Sequence, residues 1–69
     1  MTMQAARVCA LRSAYQWRVP CWIVLDTLAR RLRVFCGPHE EYLDSEPTRY
    51  FPLEVHYPEG QVESKIAAQ

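Results

Sequence analysis

The chain has 69 residues, eight basic against eight acidic, and 49% hydrophobic residues. This describes one globular domain and excludes a disordered chain or a strongly basic, general nucleic-acid binder. A domain of this size buries only about 60% of its unfolded surface, so a staple or a second copy would help hold it. The neutrality hides a division: residues 1–36 carry six arginines against Asp26 alone, whereas residues 37–69 carry seven acids against Arg49 and Lys65. A basic face and an acidic face are expected, suited either to steering a charged partner or to neutralising each other within the fold or between copies.

Residues 3–15, MQAARVCALRSAY, favour helix by propensity, with Thr2 as N-cap. Val8, Leu11 and Tyr15, with Gln4 or Ala5 a turn earlier, form a narrow stripe expected to cover one face of a sheet. A strand at residues 7–11 is the alternative. Residues 17–20 read as a connector or short edge strand, because Pro20 cannot donate to a ladder.

Residues 21–36, CWIVLDTLARRLRVFC, organise the rest as a β-hairpin. A four-residue loop at 27–30 sets Cys21 opposite Cys36, Trp22 opposite Phe35, Ile23 opposite Val34, Val24 opposite Arg33, Leu25 opposite Leu32 and Asp26 opposite Arg31. One face is then wholly apolar, while the other carries an Asp26–Arg31 ion pair and a Trp22–Phe35 aromatic pair. A slip of one residue would scramble both faces, so the register is specified. A helix competes, since Trp22, Leu25, Leu28, Leu32 and Phe35 also follow a three-four spacing. The density of β-branched and aromatic residues, bracketed by Pro20 and Gly37-Pro38, favours strands.

Residues 39–46 read as a helical turn or an acidic loop, stopped by Pro47. Residues 51–57 alternate again, with Phe51, Leu53, Val55 and Tyr57 expected on one side and Glu54 and His56 on the other. Pro52 argues for an edge position or a late start. A turn at Pro58-Glu59-Gly60 then precedes residues 62–66, which read as a strand or a short helix. As a strand across a four-residue loop, it would set Leu53 opposite Ile66, Glu54 opposite Lys65, Val55 opposite Ser64 and His56 opposite Glu63. The expected fold is therefore α+β: an N-terminal helix packed on an antiparallel sheet of three to four strands around the hairpin 21–36.

The run WIVLDTLARRLRVFCG (residues 22–37) resembles the opening hairpin of L,D-transpeptidase domains: a hydrophobic strand, an Asp near the turn and an arginine-rich return. The resemblance spans about sixteen residues of a general hairpin pattern. That family's catalytic Ser-His-Gly-Cys region has no counterpart here, so the resemblance implies no transpeptidase activity.

Three readings compete for the Cys21–Cys36 pair, and a fourth concerns Cys36 alone. In the hairpin register Cys21 and Cys36 lie on the apolar face, where buried thiols act as small hydrophobes. The same pair with His39 and His56 would make a Cys2His2 metal site, and in an oxidising compartment it would close a cross-strand disulfide. A Cys36–His39 nucleophile oriented by Glu40 or Glu63 lacks both a local enzyme signature and room for a pocket. The chain is therefore read as non-catalytic and without a cofactor.

Trp22, Arg30, Arg31, Arg33 and Phe35 form a basic-aromatic patch with the composition of an interface hot spot, and Glu40 and Glu41 begin an acidic stretch. The expected function is a protein-binding module of inhibitor or adaptor type, comparable in size to accessory proteins encoded by phages and mobile elements. A nucleic-acid-binding accessory factor using the same hairpin face is the second reading, and a homodimer covering an edge strand is expected beside either. The N-terminus lacks a secretory signal and no segment is apolar enough to span a bilayer, so a cytoplasmic protein with no membrane contact is expected.

Overall fold

The computed structural model describes residues 1–37, 45–46 and 48–66. One helix, α1 (Met3–Trp17), precedes four strands: β1 (Cys21–Asp26), β2 (Arg31–Cys36), β3 (Tyr50–His56) and β4 (Val62–Ser64). The strands form one antiparallel sheet in the order β2-β1-β3-β4, and α1 packs across it, chiefly on β1 and β2. This is the α+β architecture expected. His39, Glu40 and Glu41 lie outside the described residues.

Helix α1 starts where Thr2 leaves helical geometry and its hydroxyl accepts the Ala5 N–H at 3.1 Å. It ends at Arg18, which adopts the left-handed conformation (φ 57°) and turns the chain toward β1. The face it buries is not the one its larger side chains suggest. Ala6, Ala10 and Ala14 are 0% exposed and pack with Cys21 and Ile23, while Met3, Val19, Leu32, Val34, Cys36 and Leu53 close the core around them. Val8, Leu11 and Tyr15, expected to cover the sheet, are instead 46%, 50% and 66% exposed. A row of methyl groups lets the helix axis approach strands already carrying isoleucine, valine and leucine. Larger residues would hold it off.

The β1–β2 hairpin has the expected register at all six pairs. Its turn is stabilised by Asp26, whose Oδ1 accepts the Leu28 and Ala29 N–H groups at 3.1 and 3.0 Å, and Arg30 closes it in the left-handed region. The expected Asp26–Arg31 pair does not form. Asp26 is fully buried and meets Arg33 and Arg49 at 3.2–3.4 Å, leaving Arg31 exposed. The diagonal neighbour on β2 and the residue just before β3 reach this carboxylate over the sheet.

Strand β3 departs further from simple alternation. Its register on β1 shifts between Ile23, paired with Glu54, and Val24, paired with Pro52, so Leu53 is the extra residue of a β-bulge. The bulge carries Glu54 and His56 to the helix side of the sheet, opposite Ile23 and Cys21, and Val55 to the far side opposite Trp22. That reverses the inside-outside assignment expected for residues 54–56, while Leu53 keeps its expected place against the core. Pro52 lies at the bulge, where its missing N–H is tolerated.

Strand β4 is present, in place of a short helix, with Glu54 opposite Ser64, Val55 opposite Glu63 and His56 opposite Val62. This register lies one residue from the expected one. Tyr57 N–H donates to the Gln61 carbonyl at 2.9 Å, leaving a three-residue loop closed by Gly60 at φ +96°, a geometry that favours glycine.

Candidate functional site

The far face of the sheet is covered by cations lying on aromatic rings. Arg33 sits over Phe35 at 5.1 Å, Arg49 over Tyr50 at 4.9 Å and Lys65 over Trp22 at 5.3 Å. Phe35 also meets Tyr50 edge-on with centroids 5.1 Å apart, and Val24 and Val55 beneath are fully buried. Here the arginine-aromatic composition expected to mark a partner surface largely satisfies itself. Arg33 is tied to Asp26, while Trp22 and Phe35 are only partly exposed. Arg30 and Arg31 project outward at the hairpin tip. The Asp26 carboxyl is held below the usual carboxylate range, first by the Arg49 hydrogen bond and then by the Ala29 N–H.

Under the helix lies a second polar cluster, which the sequence pattern does not reveal. Arg7 on α1 donates through Nε to both Glu54 oxygens at 3.0 and 3.2 Å, and His56 Nε2 meets Glu54 Oε2 at 3.0 Å. The Glu54 carboxyl is shifted below its usual value, with the Arg7 hydrogen bond as the largest cause. It is therefore ionised at neutral pH, and His56 Nε2 carries the hydrogen of their shared bond. His56 is 5% exposed, and its Nδ1 is buried with no partner among the described residues.

Cys21 and Cys36 are joined in a disulfide, which resolves the three readings of the pair and removes both thiolates a Cys2His2 site would need. Among the described residues no group of three or more Cys, His, Asp or Glu is placed to hold a metal. The pairing places Cys36, Cys21 and His56 in one row across β2, β1 and β3, all on the helix side. Cys21 is fully buried and Cys36 half-buried on the edge strand. Cys9, on α1, is a free thiol.

The third feature is the outward face of α1. Val8, Leu11 and Tyr15 follow a four-three-four spacing with Gln4 and so form one line along the exposed side. Arg7 and Arg12 fall on opposite flanks of that line, and the Arg18 guanidinium lies 4.8 Å above the Tyr15 ring at its C-terminal end. No carboxylate occurs before Asp26. The residues of this stripe are legible in the sequence, but the direction they face is not. Among the described residues no helix is long and apolar enough to cross a membrane. No family model, no curated protein and no solved structure matches this chain.

Proposed function

We propose that this protein is a non-catalytic protein-binding module, of inhibitor or adaptor type, that engages its partner through the outward face of α1. The observation that supports this reading is the inverted allocation of side chains on the helix. Ala6, Ala10 and Ala14 face the core, while Val8, Leu11 and Tyr15 face solvent. Close packing on the sheet takes the small residues of α1, and its larger apolar side chains are thereby left facing solvent, available to a partner. Contiguous exposed apolar residues flanked by arginine and tyrosine have the make-up of an interface centre.

The charge pattern indicates the partner's chemistry. With Arg12 on one flank and Arg18 at the end, and Arg7 on the other flank already paired with Glu54, the stripe complements an apolar ridge bordered by carboxylates. A second copy docked stripe to stripe would set arginines near arginines, so a heterologous acidic protein fits better than a homodimer on this face. Arg30 and Arg31 are exposed at the hairpin tip, and they are the residues a nucleic-acid partner would use.

The test is a pull-down from nuclease-treated lysate of the organism that encodes the chain, with three baits: wild type, Leu11→Ser/Tyr15→Ser and Arg30→Glu/Arg31→Glu. The proposal expects one stoichiometric acidic protein, retained by the hairpin variant and lost from the helix variant. Retention by the helix variant with loss from the hairpin variant would move the interface to the tip. Recovery that disappears with nuclease treatment would replace the protein partner with nucleic acid.

A further inference from the structure

Taking the outward face of α1 as the interface, as proposed above, we infer that the partner covers it with an α-helix of its own. That helix packs along the stripe as in a two-helix coiled coil and carries carboxylates where it passes Arg12 and Arg18. Gln4, Val8, Leu11 and Tyr15 lie four, three and four residues apart on a helix of 15 residues. These intervals are those of heptad positions a and d, with Val8 and Tyr15 at a and Gln4 and Leu11 at d. Side chains so placed stand as a single row of knobs, and a second helix with the same repeat has holes that match them. Successive knobs advance by about 5 Å along the axis, against about 6.7 Å between same-face residues of a strand. An extended segment laid along the row is therefore half a step out of register after two positions.

The inner row of α1 is already filled. Ala6, Ala10 and Ala14 fall at heptad positions f, c and g and are buried against the sheet. The helix thus carries two packing rows, one of methyl groups covered by the strands and one of larger side chains facing solvent. The outer row runs from Gln4 to Tyr15, about 16 Å of helix, which roughly three turns of a partner helix would cover.

Charge selects which helix fits. Arg12 takes the e position beside Leu11, where coiled coils carry the ion pairs that choose a partner, and it is exposed. Arg18 stands 4.8 Å above the Tyr15 ring at the end of the row. Arg7, at the g position, is held by Glu54 and has less to offer. A matching helix therefore needs Asp or Glu at the positions that meet Arg12 and Arg18. Every residue of α1 is neutral or basic, so a second copy of α1 cannot supply them.

The experiment places a photo-crosslinking phenylalanine derivative at positions 4, 8, 11 and 15 in turn, in the whole chain and in the cells that encode it. Each adduct is digested, and the partner residue joined to it is located by mass spectrometry. The four joined residues are expected in one partner segment, at successive intervals of three or four, with Asp or Glu beside them. Arg12→Glu, combined with the position-11 probe, should lower adduct yield about tenfold, with a thermal melt to verify that the fold is kept. Joined residues two apart, or scattered over several segments, would overturn the helical partner while leaving the interface on α1. Adducts between two copies of this chain, or an undiminished yield from Arg12→Glu, would overturn an acidic helix as the occupant. No adduct from any of the four positions would remove the interface itself from α1, and the partner helix with it.

Discussion

Replacing Ala10 by leucine tests which face of α1 meets the sheet. Ala10 is 0% exposed and lies against Cys21 and Ile23, so the three added carbons have no room unless the helix lifts from the sheet. Overpacking of this kind costs about 1–3 kcal/mol. For a domain this small each kcal/mol shifts Tm by roughly 4–8 °C, so the expected loss is about 4–24 °C. The companion change, Leu11→Ala, removes a side chain that is already 50% exposed. Full burial of a leucine is worth about 1.5–3 kcal/mol. Half of that, less a few tenths regained from alanine's helix propensity, leaves a cost of about 1 kcal/mol or less. Thermal melts followed by circular dichroism at 222 nm measure both. If Leu11→Ala proves the more damaging change and Ala10→Leu is neutral or stabilising, the helix is docked by its other face.

Further tests address the staple, the buried carboxylates and the last turn. Cys36→Ser opens a covalent loop with a sequence separation of 15, which chain-entropy reasoning values at about 3 kcal/mol; the urea midpoint should fall accordingly, and an unchanged midpoint would show that the bond constrains nothing. Asp26 has a depressed pKa in the folded state. Its contribution is therefore present above the ordinary carboxylate pKa near ~3.9 and is lost as pH falls through the lower folded value. Wild type should lose more stability between pH 5 and pH 2 than Asp26→Asn does, and parallel acid limbs would contradict the buried ion-pair assignment. Gly60→Ala places a Cβ in open space but at φ +96°, so a loss of about 1 kcal/mol is expected from backbone strain alone; a stabilised variant would mean the three-residue loop is not closed as described.

The two hairpins show where residue patterns carry structural information and where they stop. The β1–β2 register was readable because both strands alternate over six residues and only one pairing keeps an apolar face intact. That register also put Cys21 against Cys36, but proximity alone does not distinguish thiol, metal ligand and disulfide. The β3–β4 pairing was displaced by one residue because Gly60 shortens the loop, and a Pro-Glu-Gly-Gln run suits a three-residue or a four-residue closure. The bulge at Leu53 left no mark in the pattern of apolar residues, and it is the reason Glu54 and His56 lie beneath the helix.

The orientation of α1 was hidden for a different reason. Ala6, Ala10 and Ala14 contribute little to any measure of amphipathicity, while Val8, Leu11 and Tyr15 dominate it. Close helix–sheet packing selects small residues at the contact, so the most hydrophobic face is not always the inner one. The Arg7–Glu54–His56 cluster depends on a contact spanning 47 residues, which no local spacing announces. The arginines and aromatics of the hairpin were readable as a group, but their mutual stacking on the far face of the sheet required the fold.

The most direct measurement of the central claim places a photo-crosslinking phenylalanine derivative at position 11, and separately at position 31, in the cells that encode the chain. Binding through the outward face of α1 predicts a single adduct from position 11, to an acidic protein, and none from position 31. An adduct from position 31 alone, or from neither position, would contradict it.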